Sequence, residues 1–183
     1  MSKRISTLWR RYLSEQSGAA AVEFALVLVL LTIPILNVVD VAVYSWDKMQ
    51  LDNAAQVAVQ AAWATCNNSG KLPATAGAPV NCPNMPAAVT QAAQSTTLGA
   101  GVTVTATTEN FYCVNTGTNV LVTVGTFPNT KPATCIAVGS ASDKPGDYVL
   151  ITVSYTYAPV FSAVSIASQL TTPITRTAWM RLG

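Results

Sequence analysis

Residues 24–36 read FALVLVLLTIPIL, a run of thirteen positions without a charged side chain. Extending the run to residues 19–39 gives about twenty-one positions, interrupted by one acid and one amide. At about 1.5 Å per residue, a helix of that length matches the thickness of a bilayer core. The stretch therefore predicts a membrane-spanning helical segment at about residues 19–40.

Basic residues lie on the N-terminal side of this run. The first 18 residues hold four of the ten basic side chains, Lys3, Arg4, Arg10 and Arg11, against one acid, Glu15. That segment carries +3 while the whole chain carries +2, so the remaining residues carry −1. The positive-inside rule then predicts a cytoplasmic N-terminus and an external body after Asp40. Because the body shows no basic patch, we expect no nucleic-acid partner.

The small residues 18–21, Gly-Ala-Ala-Ala, precede the apolar run. A secretory signal peptide has its small-residue cleavage site after the apolar core, so this order argues against one. A plain single-pass anchor fits the hydropathy but does not account for Glu23. A buried helix of a soluble protein fits least, because the run is nearly unbroken and has a basic flank.

Glu23 admits two interpretations, because an ionised carboxylate at membrane depth costs several kcal/mol and tends to be paired or functional. If the Gly18–Ala19 bond is cut, Glu23 becomes the fifth residue of the mature chain. Its carboxylate could then pair with the N-terminal ammonium of a neighbouring subunit. Alternatively, it simply benefits from the positive end of the helix macrodipole. Local physics does not separate the two.

The stretch Ser17–Leu28, SGAAAVEFALVL, resembles the processing region of TadE-like proteins, which are minor pilins, or pseudopilins, of the tight-adherence (Flp) branch of type IV pili. The resemblance implies cleavage after Gly18 by prepilin peptidase, with Glu23 and the following Phe24 serving assembly and register. Asp40 lies where the family often has an acid. One departure is that the family's proline, common near Val29, is here Pro34.

The resemblance further implies a non-enzymatic, cofactor-free component of pilus assembly in the bacterial inner membrane, with a periplasmic C-terminal domain. Its expected partners are prepilin peptidase, other minor pilins, the major Flp pilin and the inner-membrane assembly platform. The expected organisation is a leader at 1–18, a helix at 19–65 and a periplasmic domain at 66–183. Whether the subunit initiates, caps or joins the pilus stays open, as does methylation of the Ala19 amine.

Beyond Asp40 the sequence becomes amphipathic and lacks Gly or Pro until Gly70, so we expect helix to about Ala64. A second hypothesis has two helices, broken near Pro34 or Asn37. Residues 67–86 are rich in Pro, Gly, Asn and Ser and predict a loop. A short helix is expected over residues 86–94.

The rest of the chain has β character. Alternation and β-branched content predict strands over residues 102–107, 120–124, 148–157 and about 174–180. The segment ITVSYTYAPVF and the later ITRTAWMR also resemble the end of TadE-like proteins. Between them, Ile166 and Leu170 are interleaved with Ser, Thr and Gln, which favours an interfacial or packed turn over a second membrane segment. The predicted fold class is α+β: a long N-terminal helix, then a small disulfide-bonded domain with an antiparallel sheet.

All the cysteines, Cys66, Cys82, Cys113 and Cys135, follow the apolar run. In an oxidising compartment an even number predicts disulfides, with three pairings open. Pairing of sequence neighbours is favoured, and each loop closed would contribute roughly 3 kcal/mol. Zinc is disfavoured, because there is no C-x-x-C spacing and no histidine.

The lack of histidine also removes the usual general base of a catalytic triad. The acids of the body are few and scattered: Asp40, Asp47, Asp52, Glu109, Asp143 and Asp147. We therefore predict neither a catalytic nor a metal site. The alternative to a pilin is an uncleaved, membrane-anchored periplasmic structural or binding module. A third hypothesis, an exported enzyme, needs a pocket with convergent acids in residues 99–183.

Overall fold

The protein is described here by a computed structural model that covers residues 16–75, 81–170 and 172–182. The predicted leader lies outside the described residues up to position 15. The α-helices and strands are α1 Gln16–Cys66, α2 Met85–Ala93, β1 Thr103–Val114, β2 Leu121–Thr126, β3 Gly146–Tyr155 and β4 Ile174–Arg181. This confirms the predicted class: a long apolar helix, then a small antiparallel domain.

The described chain divides into two compact units. The helix–loop unit contains α1 up to Tyr44 together with the loop Ala158–Leu170, which we call the 158–170 loop. The sheet unit contains residues 45–157 and 171–183, and thus the rest of α1 and all four strands. Each unit therefore combines two stretches of chain that are distant from each other in sequence.

In the helix–loop unit, the apolar side chains of α1 point outward along its whole circumference. Val22 and the large apolar residues from Phe24 to Ile35 are exposed. The helix is long and apolar enough to cross a membrane, and almost none of its most apolar window is buried. It runs unbroken through Pro34, so the two-helix alternative is not what the structure shows. A single proline removes one backbone hydrogen bond and leaves the rest of the ladder in place.

In the sheet unit, α1 changes character and buries one face. The buried positions recur every three or four residues, as an amphipathic helix requires: Leu51, Ala54, Ala55, Ala58, Val59 and Ala62. On β3, the alternate residues Val149, Ile151 and Val153 are fully buried, as expected for a strand with one face in a core. These two faces contribute to the apolar core of the unit, together with other buried side chains such as Phe111 and Val89.

The sheet has the order β2-β1-β3-β4, with every neighbouring pair antiparallel. All four predicted strands are present within a few residues, except that β1 continues from the expected end at Thr107 to Val114. The inward positions of that extension are Glu109, Phe111 and Cys113. An acid is tolerated there because backbone and hydroxyl donors satisfy its carboxylate.

Two disulfides connect cysteines that are neighbours in sequence. Cys66 at the end of α1 pairs with Cys82, shortly before α2. Cys113 on β1 pairs with Cys135, which precedes the short 3-10 turn Ile136–Val138. The predicted disulfide-bonded domain is thereby present, and no described cysteine is free.

Candidate functional site

The residues of the predicted processing segment all lie on the first turns of α1. Gly18 and Ala19 are exposed, and a Cβ atom placed on Gly18 would meet nothing within 4 Å. Phe24 is 68% exposed. The segment therefore forms no core of its own, and its side chains are available to a partner.

Glu23 lies on the same turns, and its side chain is exposed. Among the described residues, no hydrogen bond or ion pair involves its carboxylate. Apart from Glu23, the exposed helix surface from Gly18 to Val39 carries no charged side chain. A lone carboxylate on an otherwise apolar helix face needs a partner charge from outside this part of the chain if the helix lies in a membrane.

A second polar pair, Asn37 and Asp40, closes the apolar run and was not recognised as a site from the sequence. The two residues are three positions apart, so they share one face of α1. Asp40 is 0% exposed and accepts hydrogen bonds from the backbone N–H groups of Val160 (3.0 Å) and Phe161 (3.2 Å). It thus fixes the start of the 158–170 loop.

Asn37 fixes the other end of the same loop. Its Oδ1 accepts from the N–H of Ile166 at 2.7 Å, and its Nδ2 donates to the carbonyl of Val164 at 3.2 Å. The same Nδ2 donates to the carbonyl of Ile33 on the preceding turn, at 2.8 Å. We call Asn37 and Asp40 the latch, because four of their hydrogen bonds hold the loop against α1.

The acids of the sheet unit are dispersed over separate contacts. The carboxylate of Glu109 accepts from the N–H groups of Ala74 and Thr75, each at 2.9 Å, and from the Thr75 hydroxyl. Asp147 pairs with Lys131, and Asp143 accepts from the Ser140 hydroxyl. In the described ranges, no group of three or more His, Cys, Asp or Glu side chains could hold a metal ion.

The remaining acids, Asp47 and Asp52, lie on α1 beyond the apolar run. Burial raises the pKa of both carboxyls above the ordinary value. Burial and, secondarily, the charge of Asp47 raise the pKa of the Tyr155 hydroxyl. Asp52 also forms an ion pair of 2.7 Å with Arg176 on β4. These contacts join α1 to the sheet, and they do not converge with the acids named above.

The outer face of the sheet carries an aromatic cluster that the sequence analysis did not identify. Tyr112 on β1, Tyr148 on β3 and Trp179 on β4 have ring centroids 5.2 to 6.0 Å apart. The register explains the grouping, because Leu150 pairs with Trp179 and Tyr148 with Arg181, which puts the rings on one face. Alternation along each strand was readable from the sequence, but the strand order that brings the rings together was not.

Part of α1 matches a known protein family. Residues 18–60 match the family model described as TadE-like protein. The resemblance found in the sequence is thereby confirmed over this segment, which begins at Gly18 and contains Glu23, Phe24 and the latch. Searches of curated proteins and of solved structures found no match. The match implies a protein associated with the tight-adherence pilus, and a pilus component suggests a role without catalysis.

Proposed function

We propose that the chain is a minor pilin of the tight-adherence pilus, anchored in the bacterial inner membrane by residues 19–40 and carrying a periplasmic domain. Prepilin peptidase cuts after Gly18 and removes the basic leader. The mature helix then packs with other minor pilins and the major Flp pilin at the inner-membrane assembly platform. The subunit thereby takes part in initiation, tip formation or extension of the pilus.

The observation that carries this proposal is the lone carboxylate of Glu23 on an exposed apolar helix. It lies within the segment matched by the TadE-like model, five positions into the chain that cleavage after Gly18 would leave. Cleavage creates an ammonium group at Ala19, which is the kind of charge that a carboxylate at membrane depth needs. In a packed array of helices, pairing between neighbours sets the axial register of one subunit against the next.

The first experiment identifies the N-terminus of the protein in the membrane fraction by peptide mapping, in cells with and without the peptidase. The expected mature chain begins at Ala19. Gly18→Ala should block maturation, and an added Cβ at Gly18 meets no atom within 4 Å, so any loss reflects recognition by the peptidase and not a steric conflict in the helix. A membrane protein that retains residues 1–18 in peptidase-positive cells supports the uncleaved anchored module instead.

The second experiment separates processing from assembly. Glu23→Ala should still be cleaved but should reduce piliation severalfold, since the register charge is lost. Glu15→Ala is the matched control: its carboxylate is removed with the leader, so piliation should stay at the wild-type level. Normal piliation with Glu23→Ala would contradict the pairing role while leaving cleavage intact.

A further inference from the structure

The 158–170 loop is uncharged and exposes several apolar side chains. It contains no charged residue, and the uncharged stretch around it extends from Tyr148 to Thr175. Its large apolar side chains Val160, Val164 and Ile166 are exposed. Apolar side chains grouped in this way on a segment without charge are the mark of an interaction surface.

Several backbone groups of the loop are hydrogen-bonded. The latch pairs four of its backbone groups. Further bonds are internal: the N–H groups of Val164 and Ser165 donate to the carbonyl of Phe161, and the Ser165 hydroxyl accepts from Ala167 N–H. Paired backbone groups are the condition for irregular structure to leave water for an apolar medium.

The latch also determines at which level along α1 the loop is attached. It attaches at Asn37 and Asp40, the last polar positions of the apolar run, where neighbours such as Val38 and Val39 are exposed. Tyr44 follows on the same helix, and aromatic residues of this type are enriched at the membrane–water interface. The loop therefore attaches to α1 on the N-terminal side of Tyr44, next to the apolar helix surface.

From these observations, and on the basis of the proposed membrane anchor, we infer that the 158–170 loop is a lipid-binding element that inserts Val160, Val164 and Ile166 into the outer leaflet of the inner membrane beside α1. Asn37 precedes Asp40 by three residues and is therefore about 4.5 Å closer to the membrane centre. The end of the loop that Asn37 binds is deeper by the same distance. Val164 and Ile166 are therefore the deeper residues and Val160 the shallower one. The helix and loop form a two-point attachment that fixes the tilt and height of the helix–loop unit.

The test uses the full chain in nanodiscs of phosphatidylethanolamine and phosphatidylglycerol. Single cysteines carrying a fluorophore are introduced at Val160, Val164 and Ile166, and quenching by nitroxide-labelled lipids is measured. Leu30→Cys reports on the helix. Ile136→Cys is the matched control, because Ile136 is 71% exposed and Ile166 60% exposed, and Ile136 belongs to the sheet unit.

We expect strong quenching at Leu30, intermediate quenching at Val164 and Ile166, weaker quenching at Val160 and none at Ile136. If Ile166 behaves like Ile136 while Leu30 is quenched, the loop lies in water and the inference is overturned with the anchor intact. If Leu30 itself escapes quenching, the anchor fails and the loop inference falls with it. The label at Ile166 could instead be unaffected by the labelled lipids but change with the number of protein chains per nanodisc. That result would mean that a second subunit covers the loop, and it would contradict this inference.

The latch supplies an independent arm of the test. Asn37→Ala removes the bonds to Val164 and Ile166 and should reduce quenching of a label at Ile166 severalfold. Thr32→Ala is the matched control, because the only partner of the Thr32 hydroxyl among the described residues is the carbonyl of Leu28 within the helix. It should leave the quenching of Ile166 unchanged. Equal quenching in both variants would show that the latch does not hold the loop in lipid.

Discussion

The helix–loop unit and the sheet unit use the same apolar residue types in opposite ways. In the first, Ile35 is 60% exposed, whereas in the second Ile151 is 0% exposed. The sheet unit removes its apolar side chains from water by packing them against each other. The helix–loop unit leaves them on its surface. This difference is what we expect if, as proposed, the first unit is embedded in a membrane.

The largest effect should follow from placing charge on the exposed apolar helix. In a chain with Leu26→Lys and Leu30→Lys, each lysine costs about 2.5–3.5 kcal/mol of insertion free energy. Most of the protein should then become extractable from membranes by carbonate. Val120→Lys with Ile136→Lys is the matched pair, since both residues are exposed in the sheet unit. If carbonate extracts the same fraction of both double variants, the proposal that only the helix–loop unit lies in the membrane is contradicted.

The next effect concerns the buried core. Ile151→Ala should lower the free energy of unfolding of the sheet unit by about 2–5 kcal/mol, because it removes a fully buried side chain and leaves a cavity. Urea unfolding of the full chain in detergent, followed by tryptophan fluorescence, measures this. Ile35→Ala makes the same chemical change on the exposed helix and should leave that unfolding free energy unchanged. A comparable loss for Ile35→Ala would mean that this helix face is packed.

The smallest effect compares two glutamates. Glu109→Ala leaves the amides of Ala74 and Thr75 without their acceptor, and should cost about 1–3 kcal/mol of unfolding free energy. Glu23→Ala should cost nothing in the same urea experiment, because its carboxylate has no partner among the described residues. A stable Glu109→Ala protein would show that water replaces the carboxylate at these amides.

Features encoded by local pattern could be predicted from the sequence. The length of α1, the strand at Gly146–Tyr155 and the disulfide between Cys66 and Cys82 follow from periodicity, residue type and short separation. Features that join distant positions could not. Asp40 was noted only as an acid closing the apolar run, because its amide partners lie at Val160 and Phe161.

In the candidate site, too, local features could be predicted from the sequence and contacts between distant residues could not. Gly18, Glu23 and Phe24 could be singled out because the motif that they form is contiguous in sequence, and their roles stay predictions. The latch was missed, since Asn37 looks like an interruption of the apolar run until the 158–170 loop is placed beside it. Glu109 was likewise only one of several scattered acids, and its role depends on a loop whose path no local pattern specifies.

The disulfides also determine how the chain responds to mechanical load. Cys66–Cys82 bridges 16 positions at the end of α1, and Cys113–Cys135 bridges 22 positions beginning on β1. If a subunit is pulled by its two ends, tension passes through the sulfur atoms and bypasses both segments. At about 3.4 Å per residue, the first disulfide prevents roughly 55 Å of extension and the second prevents roughly 75 Å. A chain pulled in this way would lengthen by roughly 130 Å less than its length allows.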